Sequence, residues 1–355
     1  MPSASIYQQM EKGKRERGWA IVPVGGRCMS VCLVALLLMT ACNTIDDDLS
    51  DCGTEFEIVY ELRLVTNIET EIQTQLTTQT EKRVGDALRG HLANIFTDFA
   101  HDIDLSFYDV SKDHDLLHHE EHVMDNNERS YTIYLPMREY RHLALANLKN
   151  NTWVKAEGRE LSHTLNLMQE VRDTVASHET GLFTARTDMD VLADVDQTFY
   201  VKLYMANSAI ALVLDPRGQD VRNVRVFTTG FATGFNVNDS TYTFAQRSPI
   251  VRTESIDTGT DLFCFCSVNF PSGKVSTRDV AEGDGACWKL NIYVKKADGT
   301  ITETVLSVME SLDAEQLKII KAYLDEDGVA HPADATVGVS VTLDWNQGGE
   351  HDVEL

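Results

Sequence analysis

The amino-acid sequence predicts a mainly β protein, two sandwich-like domains with a few helical insertions. Three observations carry this expectation. Phe56, Ile58, Tyr60, Leu62 and Leu64 alternate with polar neighbours, the period of two that marks a half-buried strand. Beyond residue 197, short apolar runs follow one another closely, separated by turn sequences such as Asp215-Pro216-Arg217-Gly218 and Asp298-Gly299. The 355 residues are enough for two ordinary domains with cores of their own.

The chain opens on a segment with the layout of a secretory signal, residues 1–41. Lys12, Lys14, Arg15, Arg17 and Arg27 precede an apolar core at 31–39 that ends in small residues. That core is too short to cross a bilayer, which takes roughly 20 apolar residues. Leu38-Met39-Thr40-Ala41-Cys42 resembles a bacterial lipobox, whose cysteine is acylated before the signal is cut off in front of it. Cys42 is therefore the expected lipidation site, and outer-membrane lipid the partner it reaches. Each buried acyl CH2 contributes about 0.8 kcal/mol, so a stable anchor takes more than one chain. Asp46-Asp47-Asp48 looks like the acidic signal that carries lipoproteins of Bacteroidetes to the outer face of the outer membrane. Residues 42–53 thus read as a lipidated acidic tether.

A first domain is expected over 54–190. Its opening strand is followed by Val84, Leu88, Leu92, Ile95 and Phe99, three or four apart, an amphipathic helix over 81–99 that covers the sheet. Strands follow at 103–108, 131–135 and 142–147, and Leu161, Leu165, Met168 and Val171 predict one more helix. The acidic stretch 187–196 reads as a linker. The second domain, 191–355, holds strands at 199–205, 209–214, 221–228, 241–244, 290–295 and 301–308. A helix is expected at 314–324, with Asp313 as N-cap. Val337, Val339, Val341, Leu343 and Trp345 lie on one face of a closing strand.

A net charge of −24 argues against nucleic acid or an anionic membrane surface as a partner. Once the signal is gone, Cys52, Cys264, Cys266 and Cys287 allow two disulfides in three connectivities. Cys264 and Cys266 share one face of a strand and pair poorly with each other. Cys287 with one of them is the preferred pair, and free thiols in a core are the alternative. No nucleophile elbow, phosphate loop, dinucleotide fingerprint or EF-hand loop occurs. His118-His119-Glu120-Glu121-His122 satisfies the HxxEH spacing of a zinc peptidase. Its neighbours are polar and lack an apolar helical stripe, so the stretch reads as a strand-connecting loop. His114, His118, His119 and His122 there could take up metal adventitiously. Asp188, Asp190, Asp194 and Asp196 read as solvated linker rather than a calcium site. The sequence assigns no catalytic residue, cofactor or metal site, and the expectation is a protein that is not an enzyme.

Several stretches together resemble one family. A lipobox followed by Asp47-Asp48-Leu49-Ser50-Asp51-Cys52 and a first strand is one, and Ile103-Asp104-Leu105-Ser106-Phe107-Tyr108-Asp109 is another. The third is Leu135-Pro136-Met137-Arg138-Glu139-Tyr140 leading to Leu143-Ala144-Leu145-Ala146-Asn147. These resemble the FimB-like fimbrial anchor subunits of Bacteroidales. Ala206-Asn207-Ser208 and Asp344-Trp345 are compatible with that pattern, whereas 147–197 matches nothing in it.

The resemblance implies two transthyretin-like Greek-key β-sandwich domains and a surface lipoprotein at the base of a type V pilus. Its partner would be a fimbrial stalk subunit, joined by donor-strand exchange, in which an extended segment of one subunit fills the sheet of the next. Stalk subunits of the family lose their first strand to an arginine-directed protease, whereas an anchor keeps it. No arginine lies between Cys42 and the first strand, and Arg63 lies within that strand. Residues Val337 to Trp345 are the candidate donor strand, against the simpler reading of an intramolecular core strand. Two other readings remain, a stalk or tip fimbrillin and a surface glycan-binding lipoprotein. Glycan binding calls for exposed aromatic platforms, and Trp19, Trp153, Trp288 and Trp345 are scattered.

Overall fold

The computed structural model describes residues 54–96, 100–111, 115–123, 129–149, 151–152, 154–157, 164–167, 174–193, 195–273, 285–334 and 337–343. It is mainly β, as expected, with two helices among the described residues.

The alternating first stretch forms β1 (Glu55–Val65), with Ile58, Tyr60 and Leu62 buried and Glu57, Glu61 and Arg63 exposed. Two helices follow, α1 (Ile68–Gln75) and α2 (Gln79–Ile95). A capping box starts α2: the Thr78 hydroxyl accepts from the Glu81 N–H, and Glu81 accepts from the Thr78 N–H. The spacing read from sequence is realised, since Val84, Leu88, Leu92 and Ile95 are all buried. Phe99 lies outside the described residues.

The first sandwich adds β2 (Asp102–Asp109), β3 (Leu116–Val123), β4 (Ser130–Pro136), β5 (Glu139–Ala146), β9 (Phe183–Asp190) and β10 (Gln197–Met205). Its strand order is β3-β2-β5-β9-β10-β1-β4. β9 and β10 pair only at Tyr204↔Thr184 and Met205↔Phe183. The sheet turns there, dividing into a four-stranded and a three-stranded layer whose inner faces meet. The Tyr60 hydroxyl of one layer lies 2.6 Å from His142 Nε2 of the other.

Between β5 and β9 the chain forms β6 (Val154–Glu157), β7 (Thr164–Leu167) and β8 (Thr174–Ala176). The second sandwich is built from β11 (Ser208–Asp215), β12 (Val221–Thr229), β15 (Ile250–Arg252), β16 (Glu254–Ile256), β17 (Phe263–Asn269), β18 (Trp288–Lys296), β19 (Ile301–Val308), β20 (Leu317–Leu324), β21 (Ala330–Pro332) and β22 (Val337–Leu343). Its sheets run β16-β17-β11-β20-β21 and β22-β19-β18-β12-β15-β8. Between them lie Ile210, Leu212, Leu214, Ile292, Leu306 and Leu324. The β18–β19 hairpin turns at Asp298-Gly299 as expected, with Gly299 at φ 90°. A small sheet, β14 (Thr241–Thr243), β13 (Gly234–Asn236), β7 and β6, completes the fold.

The other face of β11, β17 and β20, with Ala211, Cys266 and Ile319, joins the cluster that contains Ile72, Leu88 and Tyr60. The helices are therefore held between the two sandwiches, and the described residues from Thr54 onward form one compact unit. Gln75 at the end of α1 fixes the joint: its Nε2 donates to Leu317 O at 2.7 Å, and its Oε1 accepts from Ile319 N–H at 2.9 Å.

Several expectations are corrected. The predicted helix at 314–324 is strand β20. Its apolar residues are buried on both faces, Leu317 and Ile319 against the helices and Ile320, Ala322 and Leu324 in the sandwich core. A strand covered on both sides has no alternation, so its apolar run imitates a helix. The helix predicted around Leu165 is strand β7, fixed by pairing with β6 and β13; Leu161, Met168 and Val171 lie outside the described residues. The acidic stretch opens as the end of β9, through Asp190, with Asp188 paired to Arg141, and Asp194 lies outside the described residues. The boundary at 190/191 is crossed by hydrogen-bonded ladders in both directions: β10 belongs to the first sandwich, whereas β8 pairs with β15 of the second. The chain changes sandwich at Ala206-Asn207. The preferred pairing of Cys287 with Cys264 or Cys266 is not formed: both of those are free thiols, and Cys287 lies in a different core cluster.

Candidate functional site

β1 occupies a slot between two strands. It runs parallel to β10, from Ile58↔Gln197 to Val65↔Tyr204, and antiparallel to β4, from Glu55↔Pro136 to Glu61↔Ser130. Between Ile58 and Glu61 both edges of its backbone are thus paired, and Arg63, although its side chain is exposed, sits in register with Lys202. The second sandwich repeats the arrangement, with β11 between parallel β20 and antiparallel β17. In each case the first strand of the sandwich is central, and its inward face is part of the core. Without β1, the sheet would lose Ile58, Tyr60 and Leu62 together and expose two unpaired strand edges.

The candidate donor strand is β22, at the end of its sheet. It pairs antiparallel with β19, from Val308↔Val337 to Thr302↔Leu343. Val337 is buried, whereas Val339 is 43 % exposed. The side chains of Val341 and Leu343 and the whole of Trp345 lie outside the described residues, as do Cys42, Asp46, Asp47, Asp48, Cys52 and His114.

The motif residues behind the family resemblance hold strand ends together. Asp109 is buried at the end of β2 and accepts from the Ser111 N–H at 2.7 Å and from Arg138 Nη1 at 2.6 Å. Burial pushes its carboxyl up, but the Ser111 hydrogen bonds and the Arg138 guanidinium outweigh this and hold it below the usual carboxylate range. Asn147 ends β5 with φ 65°, a left-handed conformation that asparagine tolerates. Its Oδ1 accepts from His101 N–H at 2.7 Å and its Nδ2 donates to Gly181 O at 3.1 Å. Asn207, where the chain passes between sandwiches, accepts from Leu182 N–H at 2.5 Å and donates to His178 Nδ1 at 2.7 Å. These groups are inward-facing joints.

The histidine-rich stretch is a strand, not a loop. It forms β3, which among the described residues is the outermost strand of its layer and pairs only with β2. On one face the Glu120 carboxylate receives both His118 and His122, with the His122 contact at 2.6 Å. Those two rings pack against Phe107 and Tyr131. His118 and His122 thus stand on a strand with a glutamate between them, an arrangement unlike the helix turn of a zinc peptidase. His119 and Glu121 point to the opposite face, beside Asp104.

The outer face of β4, β1 and β10 carries Tyr134, Tyr200 and Tyr204, with Tyr200 74 % exposed. Strand alternation places them on one side, but sequence reading of tryptophans alone missed them. Trp288 is buried and donates to Glu310 O. A cleft of about 320 Å³ beside it is lined by Glu71, Gln75, Gln316 and Lys318. Gln75 is already bonded to β20 and Lys318 to Glu310.

No protein-family model matches the sequence, and no curated protein matches it. Among solved structures, the chain is similar to the fimbrial anchor protein Mfa2 from Porphyromonas gingivalis, with 10 % identity over 82 % of this chain and 99 % of that one, TM-score 0.46. The C-terminally truncated tip fimbrial protein Mfa3 from the same organism gives 9 % identity over 82 % and 100 %, TM-score 0.42. A candidate polysaccharide-binding protein from Bacteroides thetaiotaomicron gives 9 % identity over 79 % and 98 %, TM-score 0.47.

Proposed function

We propose that this chain is a surface lipoprotein that anchors a type V pilus to the outer membrane and ends its growth. The observation that carries the reading is the seating of β1 between β10 and β4. A subunit that accepts a donor strand must have an open slot in its sheet, and here the chain's own first strand fills that slot. The lipobox-like sequence ending at Cys42 and the acidic run Asp46-Asp47-Asp48 supply the tether. No arginine precedes β1 after Cys42, so an arginine-directed protease has no site at which to release the strand. The stalk partner joins by strand exchange, with β22, which pairs with β19 at the edge of its sheet, as the candidate donor element. In cells, shearing separates shed from attached pili. Cys42→Ala should move long polymers from the cell fraction into the medium; wild-type protein that never co-purifies with polymer would reject the anchor role.

A glycan-binding surface lipoprotein is the second reading, favoured by the exposed Tyr134, Tyr200 and Tyr204. Its test is a glycan array with wild type and Tyr200→Ala, where binding lost in the variant would favour it over the anchor.

A further inference from the structure

We infer that Asp104, His119 and Glu121 form a binding site for one divalent transition-metal ion, with Zn2+ the best match. Pairing of β2 with β3 sets Asp104 opposite Glu121 and Ser106 opposite His119, so the three side chains project from a single face. One ligand atom from each lies within 4.8 Å of the other two. His119 Nε2 is 3.1 Å from Asp104 Oδ1 and 3.8 Å from Glu121 Oε1. Ligands around a tetrahedral zinc, at about 2.0–2.2 Å from the ion, stand roughly 3.3–3.6 Å apart, so small side-chain adjustments close the set.

The donor chemistry selects the metal. One imidazole and two carboxylates with a remaining open position suit zinc, whereas calcium and magnesium need larger oxygen sets. Electrostatics points the same way. Two carboxylates directly opposite on paired strands repel, and a dication turns that repulsion into attraction. A chain of net charge −24 also concentrates cations around itself. Asp104 and His119 are only 17 % and 16 % exposed, held by the sheet, while Glu121 at 60 % is open enough to close on an arriving ion. Beneath them, the buried Ser106 hydroxyl lies 3.4 Å from Asp104 Oδ1. The second set, Glu120 with His118 and His122, faces the other way against Phe107 and Tyr131 and supplies no ligand. A bound ion would clip the outermost strand of the layer to its neighbour.

The test is Zn2+ titration by calorimetry into the purified mature lipoprotein, stripped with EDTA and exchanged into chelator-free buffer. Wild type should bind one equivalent saturably. Glu121→Gln, nearly isosteric and largely exposed, should weaken binding at least tenfold, and His119→Ala should abolish it. The double variant His118→Ala/His122→Ala should bind within about twofold of wild type, and circular dichroism checks that each variant is folded. Non-saturating uptake, undiminished binding in folded Glu121→Gln, or loss in the double variant with Glu121→Gln unaffected would each overturn the assignment.

Discussion

Tyr60 on β1 and His142 on β5 meet across the first sandwich, hydroxyl to Nε2, at 2.6 Å. His142 Nδ1 lies 3.0 Å from Ser106 O, so that nitrogen carries the hydrogen and Nε2 accepts from tyrosine. The two layers are thus joined by a fully paired polar bridge inside an apolar core. Tyr60→Phe leaves the buried Nε2 without its donor and should cost about 1–3 kcal/mol, read as a lower midpoint in urea unfolding.

The same bridge makes the protein sensitive to acid. Burial lowers His142 to about 3 and His178 to about 4, from an ordinary value of 6.5. Between those values and 6.5 the unfolded chain binds protons that the folded chain does not. Stability should therefore be full above about pH 6.5 and fall steadily as pH drops toward 4. Urea midpoints at pH 7.5, 6 and 5 should decline in that order, and less steeply in His142→Gln.

Asp109 and Arg138 are a second inward pair, with the carboxyl side chain 1 % exposed. Asp109→Ala removes the acceptor for Ser111 and leaves the guanidinium without its counter-charge. The expected loss is about 3 kcal/mol, seen by thermal or urea unfolding.

Arg63 tests the seating of β1. Its side chain is exposed, but a protease needs the backbone extended and free in its cleft, and that backbone is held in the parallel ladder opposite Lys202 of β10. An arginine-specific protease should leave the 63–64 bond intact in the native protein and cut it in denaturant, as mass spectrometry of the fragments would show.

How much of this was legible in the sequence depends on burial. Strands covered on one side, such as β1, announce themselves by alternation, and α2 by its apolar spacing. β20, buried on both faces, carries no alternation to read. The histidine stretch looked like a loop because its polar residues lie on both faces of an outermost strand, where water replaces packing. Tertiary pairing between residues far apart, such as Asp104 with His119, has no local signature at all. The distinctive motifs were found, but their work as joints at Asp109, Asn147 and Asn207 needed three dimensions.

Cys264, Cys266 and Cys287 should resist alkylation. Burial pushes Cys264 up to about 12 and also raises Cys266 well above its ordinary value, and the Cys287 thiol donates to Met309 O. Peptide mapping after iodoacetamide should find all three unmodified in the native protein and labelled in denaturant.

The parallel ladder between β1 and β10 also sets a timetable. During synthesis β1 emerges before its partners, and it waits for β4 and then for β10 before both its edges are closed. Until then its backbone is open to any extended chain nearby. Pairing with a foreign strand is therefore a hazard of the half-made molecule rather than of the finished one.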